Sequence, residues 1–197
     1  MSAIDDPRWA KFNDAGFACS CGETHVGLFP LQMLAPVGWP GSTTAESDEA
    51  LRMEADFLSY CYCVREGKYF SVRVRLPLPL EGTREWAFMF TAWVALDRPD
   101  FEGYVAARKA NTLTQNARAP ARLVNRLSTY DDTFRLMGSA YQQNDGGLPY
   151  FLTDPQQPDG RNNHPLAIDQ RRGISLDRVF EIYAAQAHDM RPAFTSH

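Results

Sequence analysis

The four cysteines of this 197-residue chain fall into two Cys-x-Cys pairs, Cys19/Cys21 and Cys61/Cys63, and His25 follows the first pair by four residues. In an extended strand, residues i and i+2 point to the same face, so each pair can present two thiolates together. Four sulfurs, or three with an imidazole, suit tetrahedral zinc. Against zinc stand the spacing, since Cys-x-x-Cys is the usual chelating interval, and the tyrosine-rich strand around Cys61 and Cys63, which reads as core. The candidate metal set is therefore Cys19, Cys21 and His25. The same segment offers a second chemistry. Cys21 lies beside Gly22 and near His25, whose imidazole can activate an exposed thiolate, although no third, orienting residue is identifiable.

A third candidate lies in His164-Pro-Leu-Ala-Ile-Asp-Gln-Arg-Arg-Gly-Ile174. His164 and Arg171 can hold an anionic ligand near the start of the last helix, where the helix dipole helps. The structural alternative is that this segment docks the last helix, with Leu166 and Ile168 in the core and Arg171 paired to a carboxylate. Other templates are missing: no Gly-x-Gly-x-x-Gly, no Walker Gly-Lys-Ser/Thr, no His-Glu-x-x-His and no Gly-x-Ser-x-Gly. His188 and His197 fall in the tail and carry no expected role. No residue is assigned as catalytic, and whether the chain is an enzyme stays open.

The element that must position these residues is a pair of apolar strands within Tyr69–Leu96. Phe70, Val72, Val74 and Leu76 alternate with Ser71, Arg73 and Arg75, the pattern of a strand with one wet face, ended by Pro77 and Pro79. Residues 85–96 are apolar on both faces, as in a central strand. Leu58–Val64 reads as a further strand, and 121–127, 133–142 and 148–152 as three more, with Asn144-Asp-Gly-Gly147 as a hairpin turn. Helices are expected after Asp6-Pro7, from Asp48 to about Ala55 with Ser47 as N-cap, after Asp97, and after Ser175. The expected fold is α+β: one domain over 1–197, an antiparallel sheet covered mainly on one face by helices.

Composition narrows the partners. Hydrophobic residues make up 44% and charged residues 22%, an ordinary globular balance, and the net charge of -4 argues against nucleic acid. No apolar run approaches the ~20 residues of a membrane span, and the N-terminus lacks a secretory signal, so a cytoplasmic protein with reduced thiols is expected. Aromatic content would support a homodimer.

The Phe17-x-Cys-x-Cys-Gly-Glu-x-His25 opening, the Tyr69-Phe-x-Val-Arg strand, Trp93-Val-Ala-Leu before a Phe101-bearing helix, and the His164-Pro-Leu-Ala motif together resemble a bacterial family of unknown function, family 2199. The resemblance covers about residues 17–182 and implies no activity. The leading expectation is a non-catalytic binding or interaction module with no cofactor, whose partner is an unknown protein or small molecule. The alternative is a zinc-binding protein or thiol-dependent enzyme built on Cys19, Cys21 and His25.

Overall fold

Two long strands form the spine of the structure, a computed structural model that describes residues 3–13, 16–83 and 85–194. The elements before them are α1 (Pro7–Asn13), β1 (Phe17–Ala18), β2 (Thr24–His25), β3 (Leu31–Gln32), β4 (Phe57–Leu58) and β5 (Tyr62–Arg65). The spine is β6 (Tyr69–Pro79) and β7 (Ala87–Leu96), antiparallel from Phe70↔Leu96 to Pro79↔Ala87. After it come α2 (Arg98–Lys109), β8 (Arg118–Leu123), β9 (Met137–Tyr141), β10 (Tyr150–Thr153), α3 (Pro165–Arg172), α4 (Leu176–Ala184) and α5 (Arg191–Phe194). Among the described residues, no helix is long and apolar enough to cross a membrane.

The expected one-sided sheet is replaced by a closed barrel. β7 pairs with β8, β8 with β9 and β9 with β10, all antiparallel. β10 then returns to β6 in parallel at Tyr150↔Arg75, where the Arg75 N–H donates to the Pro149 carbonyl at 2.8 Å. Five strands thus form a ring, while β3 and the β5–β4 hairpin extend from β7 and β6. Closure pairs β10 with β6 where an open meander would leave β10 as a free edge, and the short β3 and β4 remain as the outer edges. The inward face carries Val74, Leu76, Phe90, Ala92, Leu123, Ala140 and Phe151, all buried. Helices pack at the two ends of the spine. Phe101 of α2 meets Phe70 at one end, and Tyr183 of α4 meets Phe88 at the other.

Four local expectations are corrected. β6 runs through Pro77 and Pro79 rather than stopping before them. The Arg73 and Arg75 N–H groups donate to Cys61 and Pro149, so residues 77 and 79, of the same parity, point their missing N–H groups along that edge, past the Arg75 pairing with β10. The face of Ser71 and Arg73 is not wet: both are buried, Arg73 donating to Gln32 at 3.1 Å with its guanidinium over the Tyr60 and Trp93 rings. Leu58–Val64 is a tight hairpin, not one strand, because Ser59 Oγ accepts the Tyr62 N–H at 3.0 Å and turns the chain. Ser47 does cap a helix, but only a short 3-10 turn, Asp48–Ala50.

Candidate metal centre

The first Cys-x-Cys pair sits on a small knuckle. β1 and β2 pair antiparallel at Phe17↔His25 and Ala18↔Thr24. Between them the Gly22 N–H donates to Cys19 O at 3.0 Å, with Gly22 at φ +90°, a conformation a side chain would resist. This turn brings Cys21 Sγ to 3.2 Å from His25 Nε2.

A fourth donor arrives from the opposite end of the chain. α4 is followed by a left-handed Ala187 (φ +60°), and the His188 N–H donates back to Tyr183 O at 2.9 Å. That six-to-one bond is the Schellman stop, here with alanine where glycine is usual. Ser20 stitches this stop to the knuckle: its N–H donates to Asp189 O at 3.1 Å, and its Oγ donates to Ala187 O and accepts the Asp189 N–H. His188 Nδ1 consequently lies 3.6 Å from Cys19 Sγ.

The donor atoms of Cys19, Cys21, His25 and His188 all lie within 4.8 Å of one another. Zinc bond lengths place tetrahedral S and N donors about 3.3–3.8 Å apart. The 3.2 and 3.6 Å separations come close to that requirement before any adjustment. Aromatic packing fixes both imidazoles. His25 stacks on Phe29 at 4.2 Å between centroids, Phe29 stacks on Tyr183 at 4.3 Å, and His188 meets the Phe29 edge at 5.2 Å. The buried Tyr183 hydroxyl accepts the Phe29 N–H and donates to Phe29 O, so the stack is pinned to the backbone.

The second Cys pair has no part in this cluster. Cys61 lies in the turn before β5 and faces the large core, whereas Cys63 packs with Leu58 and Trp93 on the other side. Burial pushes both thiols up to about 12, Cys61 with a further contribution from Asp48. They remain protonated near neutral pH, poor ligands and poor nucleophiles.

His164 and Arg171 are placed differently from one another. His164 is buried and caps α3: its Nδ1 accepts the Leu166 N–H at 3.1 Å, and its Nε2 donates to Asp131 O at 2.6 Å. Both ring nitrogens therefore serve the backbone, tying α3 to the 128–132 loop. Pro165 occupies the first helical position, where its missing N–H costs nothing. Arg171 is exposed and, among the described residues, hydrogen-bonds only to Asn163 Oδ1, at 3.4 Å. His164→Ala would strand a buried N–H and a carbonyl, so thermal unfolding should show a loss of about 2–3 kcal/mol. Arg171→Ala should stay within ~0.5 kcal/mol. Equal effects of the two substitutions would contradict this assignment.

His188 is the residue that sequence reasoning passed over. No local spacing links it to the cysteines, and its turn lacks the glycine that would have marked a helix stop. His197 lies outside the described residues. No curated protein and no solved structure matches the chain. Cys19, Cys21 and His25 fall inside the region shared with a known family, and His188 falls beyond it. Residues 18–174 match the family described as "Uncharacterized protein conserved in bacteria (DUF2199)", and the chain belongs to it.

Proposed function

We propose that this protein is a zinc-binding β-barrel module in which Cys19, Cys21, His25 and His188 hold a structural metal ion. The observation that carries this reading is the convergence of four soft or borderline donors within 4.8 Å from two segments far apart in sequence. Four protein donors complete a tetrahedron and leave no position for water or substrate, the pattern of structural rather than catalytic zinc. The metal would clip the N-terminal knuckle to the end of α4, and so fasten two segments that pack around the barrel's α4 end.

The 3.2 Å approach of His25 Nε2 to Cys21 Sγ also favours a second reading, a thiolate nucleophile. Cys21 is the one exposed thiol of the four. Among the described residues, however, no carboxylate hydrogen-bonds to His25 to orient it, and His188 turns the dyad into a closed set.

Cobalt(II) titration of the metal-free protein separates the two readings. The zinc reading predicts intense d–d absorption of tetrahedral S2N2 cobalt at about one equivalent, together with protection of Cys21 from iodoacetamide. A cobalt spectrum of octahedral type, with Cys21 still alkylated rapidly, would favour the nucleophile.

A further inference from the structure

A second site lies on the outer face of the barrel, away from the metal donors. The loop carrying Trp39 folds over β5, β6 and β8 and borders an open cleft of about 550 Å³, within the size range of small-molecule sites. Three aromatic side chains wall it, Trp39, Tyr69 and Phe134, and three guanidinium groups line it, those of Arg65, Arg122 and Arg135. Among the described residues no carboxylate lines it, although the chain as a whole carries a net charge of -4. Carboxylates stand behind two of these arginines rather than in the cavity, Asp97 beside Arg122 and Glu66 beside Arg65, which leaves Arg135 as the cation to satisfy.

The three arginines are not equally committed to the protein. Arg122 donates to the exposed Asp97 at 2.9 Å. Arg65 uses Nη1 on the carbonyls of Val37 and Gly38, while its buried Nε sits 3.5 Å from Glu66 Oε1 without forming a hydrogen bond. Arg135 has no ion pair among the described residues, and its guanidinium lies 5.9 Å from the Phe134 ring centroid, the ring that Arg126 also covers. Arg135 is moreover held at φ +66°, a left-handed conformation that a long side chain rarely adopts.

We propose that this cavity binds a small planar aromatic carboxylate, its ring against the aromatic wall and its carboxylate on Arg135. Guanidinium groups suit a carboxylate geometrically, forming paired charge-assisted hydrogen bonds, and aromatic walls favour a flat ring. Cys63 lines the same cavity, protonated and buried, and contributes packing only.

The probe is 2-naphthoate, measured by calorimetry against the neutral 2-naphthalenemethanol of similar shape. The informative variant is Arg135→Asn, since asparagine tolerates the left-handed conformation and keeps the turn intact, and circular dichroism verifies its fold. The expected result is saturable one-to-one binding of 2-naphthoate, weakened about tenfold or more both in Arg135→Asn and on changing to the alcohol. Absence of saturation at millimolar probe, equal affinity for acid and alcohol, or unchanged affinity in Arg135→Asn would overturn the proposal. None of the metal donors lines the cavity, so failure here leaves the zinc assignment untouched.

Discussion

Gly138→Ala should destabilise the protein by about 3 kcal/mol or more, lowering the melting temperature by roughly 6–12 °C. A Cβ at this position would stand 2.2 Å from Leu152 O and 2.7 Å from two carbons of the Phe151 ring. Neither neighbour can yield cheaply. Leu152 is backbone within β10, and Phe151 is fully buried inside the barrel. Gly138 pairs with Thr153, so a displaced β10 would also lose its register with β9 and its single parallel contact with β6. The effect therefore reports on closure. Near-neutral behaviour of Gly138→Ala in a thermal melt would mean that β10 is not packed against β9 as described.

The second large effect is expected from the metal. Free zinc at a thousandfold excess over its dissociation constant stabilises a folded site by about 4 kcal/mol, equivalent to roughly 8–16 °C for a chain of this length. Stripping the protein with a chelator should lower its melting temperature by that amount, and zinc should restore it. His188→Ala should weaken zinc binding by at least about a hundredfold and abolish most of the shift. The pH dependence has a definite sign. In the metal-free protein, burial, with Cys21 alongside, raises the Cys19 thiol above its ordinary 9.0. Folding then favours the protonated thiol, a contribution complete below the unfolded value near 9.0 and lost as pH rises through the folded one. Zinc needs the thiolates, so its added stability grows with pH. The gap between loaded and stripped melting temperatures should widen from about pH 6 to about pH 8. A gap that narrowed over that range would contradict thiolate ligation.

How far the residues announced this arrangement depends on sequence separation. The β6–β7 spine was legible because period-two alternation and a doubly apolar neighbour are local signals. The amphipathic face of α4 and its Ser175 cap were legible for the same reason: Ser175 Oγ accepts the Arg178 N–H, and Val179, Phe180 and Tyr183 are buried. Barrel closure was not. It rests on one parallel contact between Tyr150 and Arg75, and nothing local to either residue distinguishes a closing strand from the edge of an open sheet. Alternation on β6 misled for a related reason: Arg73 and Ser71 obey the polar half of the pattern, yet Arg73 lies under Gln32 of β3 and Tyr60, and Ser71 is buried beside the Trp39 loop.

The candidate site divides along the same line. Cys19, Cys21 and His25 are close in sequence, so their grouping could be read directly, and the structure brings these three together. The fourth candidate donor, His188, is brought in by tertiary stitching through Ser20 and Asp189, contacts spanning 169 residues. His164 shows the opposite trap. A histidine before proline near a helix start invited an anion-site reading, whereas the structure gives both of its nitrogens to backbone partners.

The most direct measurement is the metal content of protein purified without added metal and without chelator, read by mass spectrometry together with the zinc-edge absorption fine structure. About one zinc per chain is expected, with two sulfur neighbours near 2.3 Å and two nitrogen neighbours near 2.0 Å. A stoichiometry near zero that zinc addition fails to raise, or a shell lacking sulfur, would contradict it.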